Sequence, residues 1–286
     1  MKNLIINSII FLLVLAGSLL VGSHFIQAEL INYLTQVDII TEEFVYNRIY
    51  TEEHAEFDWN AVTNMEFFDV LGYVNHNVHP VGEVIIPTID VRLPILIGSS
   101  DLNMTLGAGT LRPNMEMGQG NYTLGSHWDA SPNVRFGGIH LLEIGDLIIL
   151  RDADYIYLYE VVIANKTIGA YRVDIVDDVE GKIYVTLFTC PSGALTPYRI
   201  KVRGEFVRQI ALADIQSEYD MIAEFEALPP TINVEIIREV ILNIEYTDVP
   251  FPTGSVALVI GISLIASIGA VWISGHDFKK RAKKHG

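Results

Sequence analysis

Two unbroken apolar blocks stand near the ends of the chain, and everything between them alternates on a shorter scale. Leu4 to Val21 carries no charge and is dominated by Leu, Ile and Val; Gly254 to Gly275 is also uncharged and apolar. At about 1.5 Å of rise per residue, either block reaches across roughly 30 Å of hydrocarbon. The pattern therefore predicts an N-terminal transmembrane anchor over 1–27 and a C-terminal transmembrane helix over 253–275. A cleaved signal peptide is the other reading of the first block. Its apolar run is longer than a typical signal core, however, and Ile26-Gln27-Ala28 is a poor cleavage site, so an uncleaved anchor is expected.

From Val81 onward, short β-branched and aromatic runs recur between Gly, Asn, Asp and Pro. They are Val84–Pro87, Ile89–Ile97, Tyr122–Leu124, Leu147–Leu150, Tyr155–Val162, Tyr184–Cys190 and Arg199–Val207. Seven or more short strands in about 130 residues predict one mainly β domain, a barrel or sandwich, over 81–208. Before it, 28–80 reads as an acidic linker with some helix. After it, 209–252 reads as a second linker: Ile215, Tyr219, Ile222 and Phe225 are spaced as on a helix that Pro229-Pro230 stops. Thr231 to Tyr246 fits helix or strand equally.

Charge orients this arrangement. Lys2 precedes the first apolar block, and Lys279, Lys280, Arg281, Lys283 and Lys284 follow the second within a basic tail, 276–286. Basic residues on the outer flank of both blocks put both termini in the cytoplasm and the roughly 230 residues between them outside the cell. That outer portion holds 13 Lys and Arg against 34 Asp and Glu, a net charge of −21. Such a surface disfavours nucleic acid and anionic lipid headgroups as partners.

Cys190 is the single cysteine, so it is a buried small hydrophobe or a reactive thiol. It closes a strand that Pro191-Ser192-Gly193 breaks, a position where loops gather. A free thiol near pKa 8.5 is mostly protonated at neutral pH, so a nucleophilic cysteine needs a base or cation close by. Nine residues on, Arg199 fits the return strand of a hairpin, where it could face the same pocket. Arg203 and Lys201 share its pleat parity, but Arg203 lies about 13 Å further along the strand. His127 could protonate a leaving amine. Asp129 either orients His127 or is an exposed loop acid. His76 and His79 have a loose metal-like spacing with no third ligand type nearby.

Thr186-Leu187-Phe188-Thr189-Cys190 resembles the Thr-Leu-x-Thr-Cys signature of sortases, the cysteine transpeptidases of Gram-positive cell envelopes. The resemblance covers about Ile86 to Val207. It includes Leu93-Pro94-Ile95, Gly107-Ala108-Gly109-Thr110, Met117 to Tyr122 and Gly145-Asp146, and it is most like class A, the housekeeping type. It implies a closed eight-stranded β-barrel with short helices, between the two transmembrane helices, and catalytic roles for Cys190, His127 and Arg199. The implied reaction cleaves a Leu-Pro-x-Thr-Gly-like sorting signal between Thr and Gly through a thioacyl intermediate on Cys190. Arg199 would bind the substrate carbonyls or the oxyanion, with a backbone N–H beside Cys190 as a second donor. The partners implied are the membrane, secreted proteins carrying C-terminal sorting signals, and an amine of lipid II or of the peptidoglycan cross-bridge. No cofactor is required. Some class A members bind Ca²⁺ at the loop before the cysteine strand, and Asp174, Asp177, Asp178 and Glu180 are the calcium candidates here, solvated loop acids otherwise.

Two departures from the class A pattern leave alternatives. A second, C-terminal span is typical of pilin-polymerising class C sortases, which carry an Asp-Pro-aromatic lid; the nearest match, Phe57-Asp58-Trp59-Asn60, lacks the proline. Phe251-Pro252-Thr253-Gly254, with the apolar block and basic tail behind it, looks like a sorting signal one residue short, and the anchor reading is preferred. The alternative outside enzymology is an inactive, membrane-tethered β-barrel binding module.

Overall fold

The structure is a computed structural model. It describes residues 2–35, 55–57, 70, 72–73, 76, 78–191, 196–214 and 257–268. The expected helices over Asp214–Leu228 and within 28–80 beyond Thr35, the segment Thr231–Tyr246 and the tail 276–286 fall outside these residues or nearly so.

Eight strands close into a barrel in the order β1-β2-β3-β4-β7-β8-β6-β5. They are β1 (Gly82–Ile86), β2 (Val91–Leu96), β3 (Ala108–Thr110), β4 (Asn121–Gly125), β5 (Leu147–Arg151), β6 (Tyr155–Gly169), β7 (Tyr184–Thr189) and β8 (Tyr198–Ala211). Alternate residues point inward, as the pleat requires. Val84, Ile86, Leu93, Ile95, Tyr122, Leu124, Ile148, Leu150, Tyr159, Val185, Leu187 and Val202 fill one core. Closure leaves no free sheet edge. A second, smaller cluster of Met104, Leu111, Ile168, Ile175 and Phe188 joins residues of the opposite parity on β6 and β7 to α2 (Asp101–Leu106) and the loop before β7.

Several boundaries differ from the sequence reading. The second strand starts at Val91 rather than Ile89, because Pro87–Ile89 is a 3-10 turn that ends on Asp90 in the left-handed region, φ 52°. β3 and α2 were not expected. β6 runs on to Gly169 and β8 to Ala211, paired through register shifts at Leu158/Tyr159, Val161/Ile163 and Ile163/Lys166. Such bulges spoil strict alternation, so a period-two pattern fades at Val162 although the ladder continues.

On β1, Glu83 is fully buried between Arg92 (2.7 Å and 3.0 Å) and Arg151 (2.9 Å), joining β1, β2 and β5. Before the barrel, the Glu56 carbonyl accepts from Ser99 N at 2.8 Å, which lays residues 55–57 against the turn that leads into α2.

The apolar ends form a unit of their own. α1 (Lys2–Thr35) is long and apolar enough to cross a membrane and continues past the apolar block. The second apolar block contains the helix α3 (Ala257–Ile268); the rest of 253–275 lies outside the described residues. A Cβ added at Gly22 would collide with Val259, so α1 and α3 meet where glycine permits close approach.

Candidate active site

Two ladders bring Cys190, His127 and Arg199 to one end of the barrel. β4 and β7 are parallel, with Gly125 opposite Phe188; His127 and Cys190 each lie two residues beyond that pair. β7 and β8 are antiparallel, with Thr189 opposite Ile200, so the next step of the same register sets Cys190 opposite Arg199. Parity adds a face. Leu187 and Ile200 point into the barrel core, whereas Phe188 belongs to the outer cluster, so Cys190 and Arg199 share the parity of the outer face.

The main chain locks this end. Thr189 Oγ1 donates to Ser126 O at 2.8 Å, and Ser126 N donates to Phe188 O at 3.2 Å. Ser126 Oγ lies 2.8 Å from Gly107 O and 3.1 Å from Met104 O, while His127 N donates to Met104 O at 3.2 Å. The two residues before the thiol, the residue before the imidazole and the end of α2 are therefore tied together.

Cys190 is half-buried. Burial pushes its thiol pKa up, and the Arg199 guanidinium acts against that rise. Arg199 is itself held by its own turn: Nη1 donates to Thr196 O (2.8 Å) and Tyr198 O (2.9 Å). His127 is 8% exposed, and its Nε2 makes no hydrogen bond among the described residues. Burial, reinforced by the Arg135 guanidinium, brings its pKa down to about 3. Burial thus favours the uncharged form of each, thiol and neutral imidazole. The residue after Cys190 is Pro191, which has no N–H. An adjacent oxyanion donor would have to be Cys190's own amide or come from another segment.

The remaining expected residues separate. Asp129 neither orients His127 nor stands exposed: its carboxylate accepts from Arg135 Nη2 at 2.9 Å and from Ser131 N at 2.9 Å. Arg203 is buried, donating to Thr186 Oγ1 (2.9 Å) and Ile175 O (3.0 Å) below the Tyr184 ring. Burial, with Arg203, Lys166 and Arg172 nearby, lowers the Lys201 pKa to about 8.

The four calcium candidates do not converge. Asp174 pairs with Arg172 (2.6 Å and 2.5 Å), while Asp178 accepts from Arg112 and from Asn121 N (2.8 Å). Asp177 gives its carbonyl to Asn121 Nδ2 at 3.0 Å, and Glu180 is exposed. Among the described residues, no group of three or more His, Cys, Asp or Glu is placed to hold a metal ion. His140 Nδ1 lies 2.9 Å from Gly137 O, and His76 packs edge-on to Tyr73. Asp58, Trp59 and Asn60 of the lid-like stretch lie outside the described residues.

Two features of the structure are not visible in the sequence. One is the polar network of Asn121, Thr186 and Arg203, which pins the loop before β7: Thr186 Oγ1 donates to Asn121 Oδ1 at 2.7 Å, and Asn121 Nδ2 donates to Ile175 O at 2.9 Å. The other is the set of charges around His127, Asp101 and Arg135. Both are assembled from distant positions and leave no local pattern.

Comparison with known proteins agrees with the barrel. The sortase-domain family model matches residues 84–207. Sortase A of Bacillus anthracis is 30% identical over 210 residues, covering 72% of this chain and 96% of that protein. Sortase A of Listeria monocytogenes is 29% identical over 218 residues, covering 74% and 97%. A crystal structure of the Listeria monocytogenes enzyme, 30% identical, covers 52% of this chain and 98% of its own, with a TM-score of 0.45. At this identity over nearly the whole length of its relatives, the chain belongs to the sortase family of cysteine transpeptidases.

Proposed function

We propose that this sortase works as a class A-like anchoring enzyme, with Cys190 as nucleophile, His127 as general acid and base, and Arg199 as the cation at the reacting carbonyl. The register of β4, β7 and β8, which ends three separate segments on these residues, carries the reading. The relatives named sortase A favour anchoring to the cell wall over pilus assembly.

In the first step the proton of the Cys190 thiol passes to His127, and the thiolate attacks the carbonyl carbon of Thr in a Leu-Pro-x-Thr-Gly-like signal. Negative charge develops on the carbonyl oxygen, and Arg199, already fixed by its own turn, stabilises it without reorganising. The Thr–Gly C–N bond breaks, and the glycine amine leaves with the proton held by His127. In the second step an acceptor amine, from lipid II or the peptidoglycan cross-bridge, attacks the thioester. His127 takes its proton and the Cys190 thiolate departs. The secreted substrate and the lipid-linked acceptor both emerge at a membrane, which suits a domain anchored by α1. No cofactor enters these steps.

The test is incubation of the detergent-solubilised full chain with sorting-signal peptides and amine acceptors, beside Cys190→Ala. Mass spectrometry is expected to find a thioacyl adduct on Cys190 and a transferred product, both lost in Cys190→Ala. A transferred product formed by Cys190→Ala would overturn the mechanism. The accepted amine distinguishes wall anchoring from pilin polymerisation.

A further inference from the structure

Two charged groups stand near the imidazole of His127: the Arg135 guanidinium, held by Asp129 in the loop after β4, and the Asp101 carboxylate, from the first turn of α2. Cys190 and Arg199 come to the same end of the barrel from β7 and β8. Asp129 is engaged by Arg135. Arg135 is buried, and its charge adds to the effect of burial in disfavouring an imidazolium at His127. Asp101 is an acid, and its Oδ1 lies 3.8 Å from His127 Nε2, at ion-pair distance, with its side chain 30% exposed.

The backbone around this pair is closely held. Ser100 caps α2 by accepting from Asn103 N (3.2 Å), and Thr105 Oγ1 donates to Asp101 O at 2.6 Å. Met104 O, one turn along the same helix, accepts the amide of His127. A single helical turn thus holds both the main chain of His127 and a carboxylate beside its ring. The ring nitrogen facing that carboxylate is buried and otherwise without a hydrogen bond among the described residues.

We propose that Asp101 is a positioning residue of the transfer reaction: its carboxylate closes on the imidazolium of His127 and holds it ready to protonate the leaving amine. This rests on His127 being the general acid. The role follows from the charge cycle of that residue. His127 is neutral at rest and must carry a proton between attack and departure, in a buried place where Arg135 opposes the positive charge. An acid already at 3.8 Å compensates that charge at the moment it forms. It competes little for the neutral ring, since no hydrogen bond joins the two at rest. Burial works against both the thiolate and the imidazolium, and Asp101 supplies the charge that offsets the second. Loss of Asp101 reduces the thiolate–imidazolium form at every pH, and an alkaline limb set by the Cys190 thiol is expected to stay in place.

The experiment measures transfer kinetics against pH for the full-length protein in detergent, with Asp101→Asn, Asp101→Glu, Asp101→Ala and His127→Ala beside the wild type. Asp101→Asn is expected to lose about tenfold in kcat/KM through kcat, with KM and the alkaline limb unmoved. Asp101→Glu is expected to keep most of the activity, and added formate to restore part of what Asp101→Ala loses. Wild-type kcat/KM in Asp101→Asn would overturn the proposal. So would a loss that neither glutamate nor formate recovers, since that marks a structural role. Unimpaired transfer by His127→Ala would instead sink the general-acid reading on which the proposal stands.

Discussion

The thiol of Cys190 is held between two influences of opposite sign, and the balance can be tested. Burial raises its pKa and the Arg199 charge lowers it. Removing that charge in Arg199→Ala leaves burial unopposed, so iodoacetamide alkylation of Cys190 should begin at a higher pH than in the wild type; Arg199→Lys, keeping a cation, should shift it less. If Arg199 also faces the developing oxyanion, transfer by Arg199→Ala should fall by about 10²–10³-fold. An alkylation curve that does not move would separate Arg199 from the thiol. That Cys190 and Arg199 meet at one strand end was legible in the sequence, because a strand-end thiol and a hairpin-spaced arginine are local patterns; His127 was singled out only through the resemblance that the Thr-Leu-Phe-Thr-Cys run carries. Asp101 and Arg135 were not legible. Asp101 is 26 residues from His127 in the chain and reaches it only through α2, a six-residue helix too short to show a period.

At the scale of elements, the barrel was legible wherever a short run of β-branched, aliphatic or aromatic residues stands between turn residues, as in β5 and β7. It was illegible where geometry overrides pattern. β3 is three residues of Ala, Gly and Thr with no hydrophobic alternation, yet it carries the closure by pairing parallel to β2 and antiparallel to β4. Glu83 is a second such case. A carboxylate in the middle of Gly-Glu-Val-Ile-Ile looks like an outward, solvated position, but Arg92 and Arg151 close over it and bury it completely. Loss of the one carboxylate that balances a buried Arg151 and a partly exposed Arg92 costs more than loss of an exposed pair would. Glu83→Gln should therefore destabilise the barrel by about 3–5 kcal/mol, read as a lower urea midpoint of the full chain in detergent. A midpoint equal to that of the wild type would show the pair to be dispensable. The site lies on β4, β7 and β8 and this ion-pair group on β1, β2 and β5, so transfer measured well below the midpoint should be unaffected.

On the scale of the whole molecule, α1 is longer than a membrane requires. Its 34 residues extend about 51 Å, against roughly 30 Å of hydrocarbon. With Lys2 held on the cytoplasmic side, the stretch from Gln27 to Thr35 would project beyond the far face before the acidic segment begins. This orientation also separates the charges, placing the basic tail inside and the strongly acidic middle outside. Because Cys190 is the single cysteine, the orientation can be read without engineering a reporter into the barrel. On intact cells, a membrane-impermeant maleimide should label the wild-type chain and leave Cys190→Ala unlabelled. Adding Gly286→Cys to Cys190→Ala should give a chain that is labelled only after the cells are permeabilised, if the second apolar block crosses the membrane. Labelling of that chain on intact cells would place the C-terminus outside, leaving α1 as the sole span. Failure to label Cys190 until the membrane is opened would reverse the orientation, and a transpeptidase facing the cytoplasm would have no access to emerging substrates or to the wall.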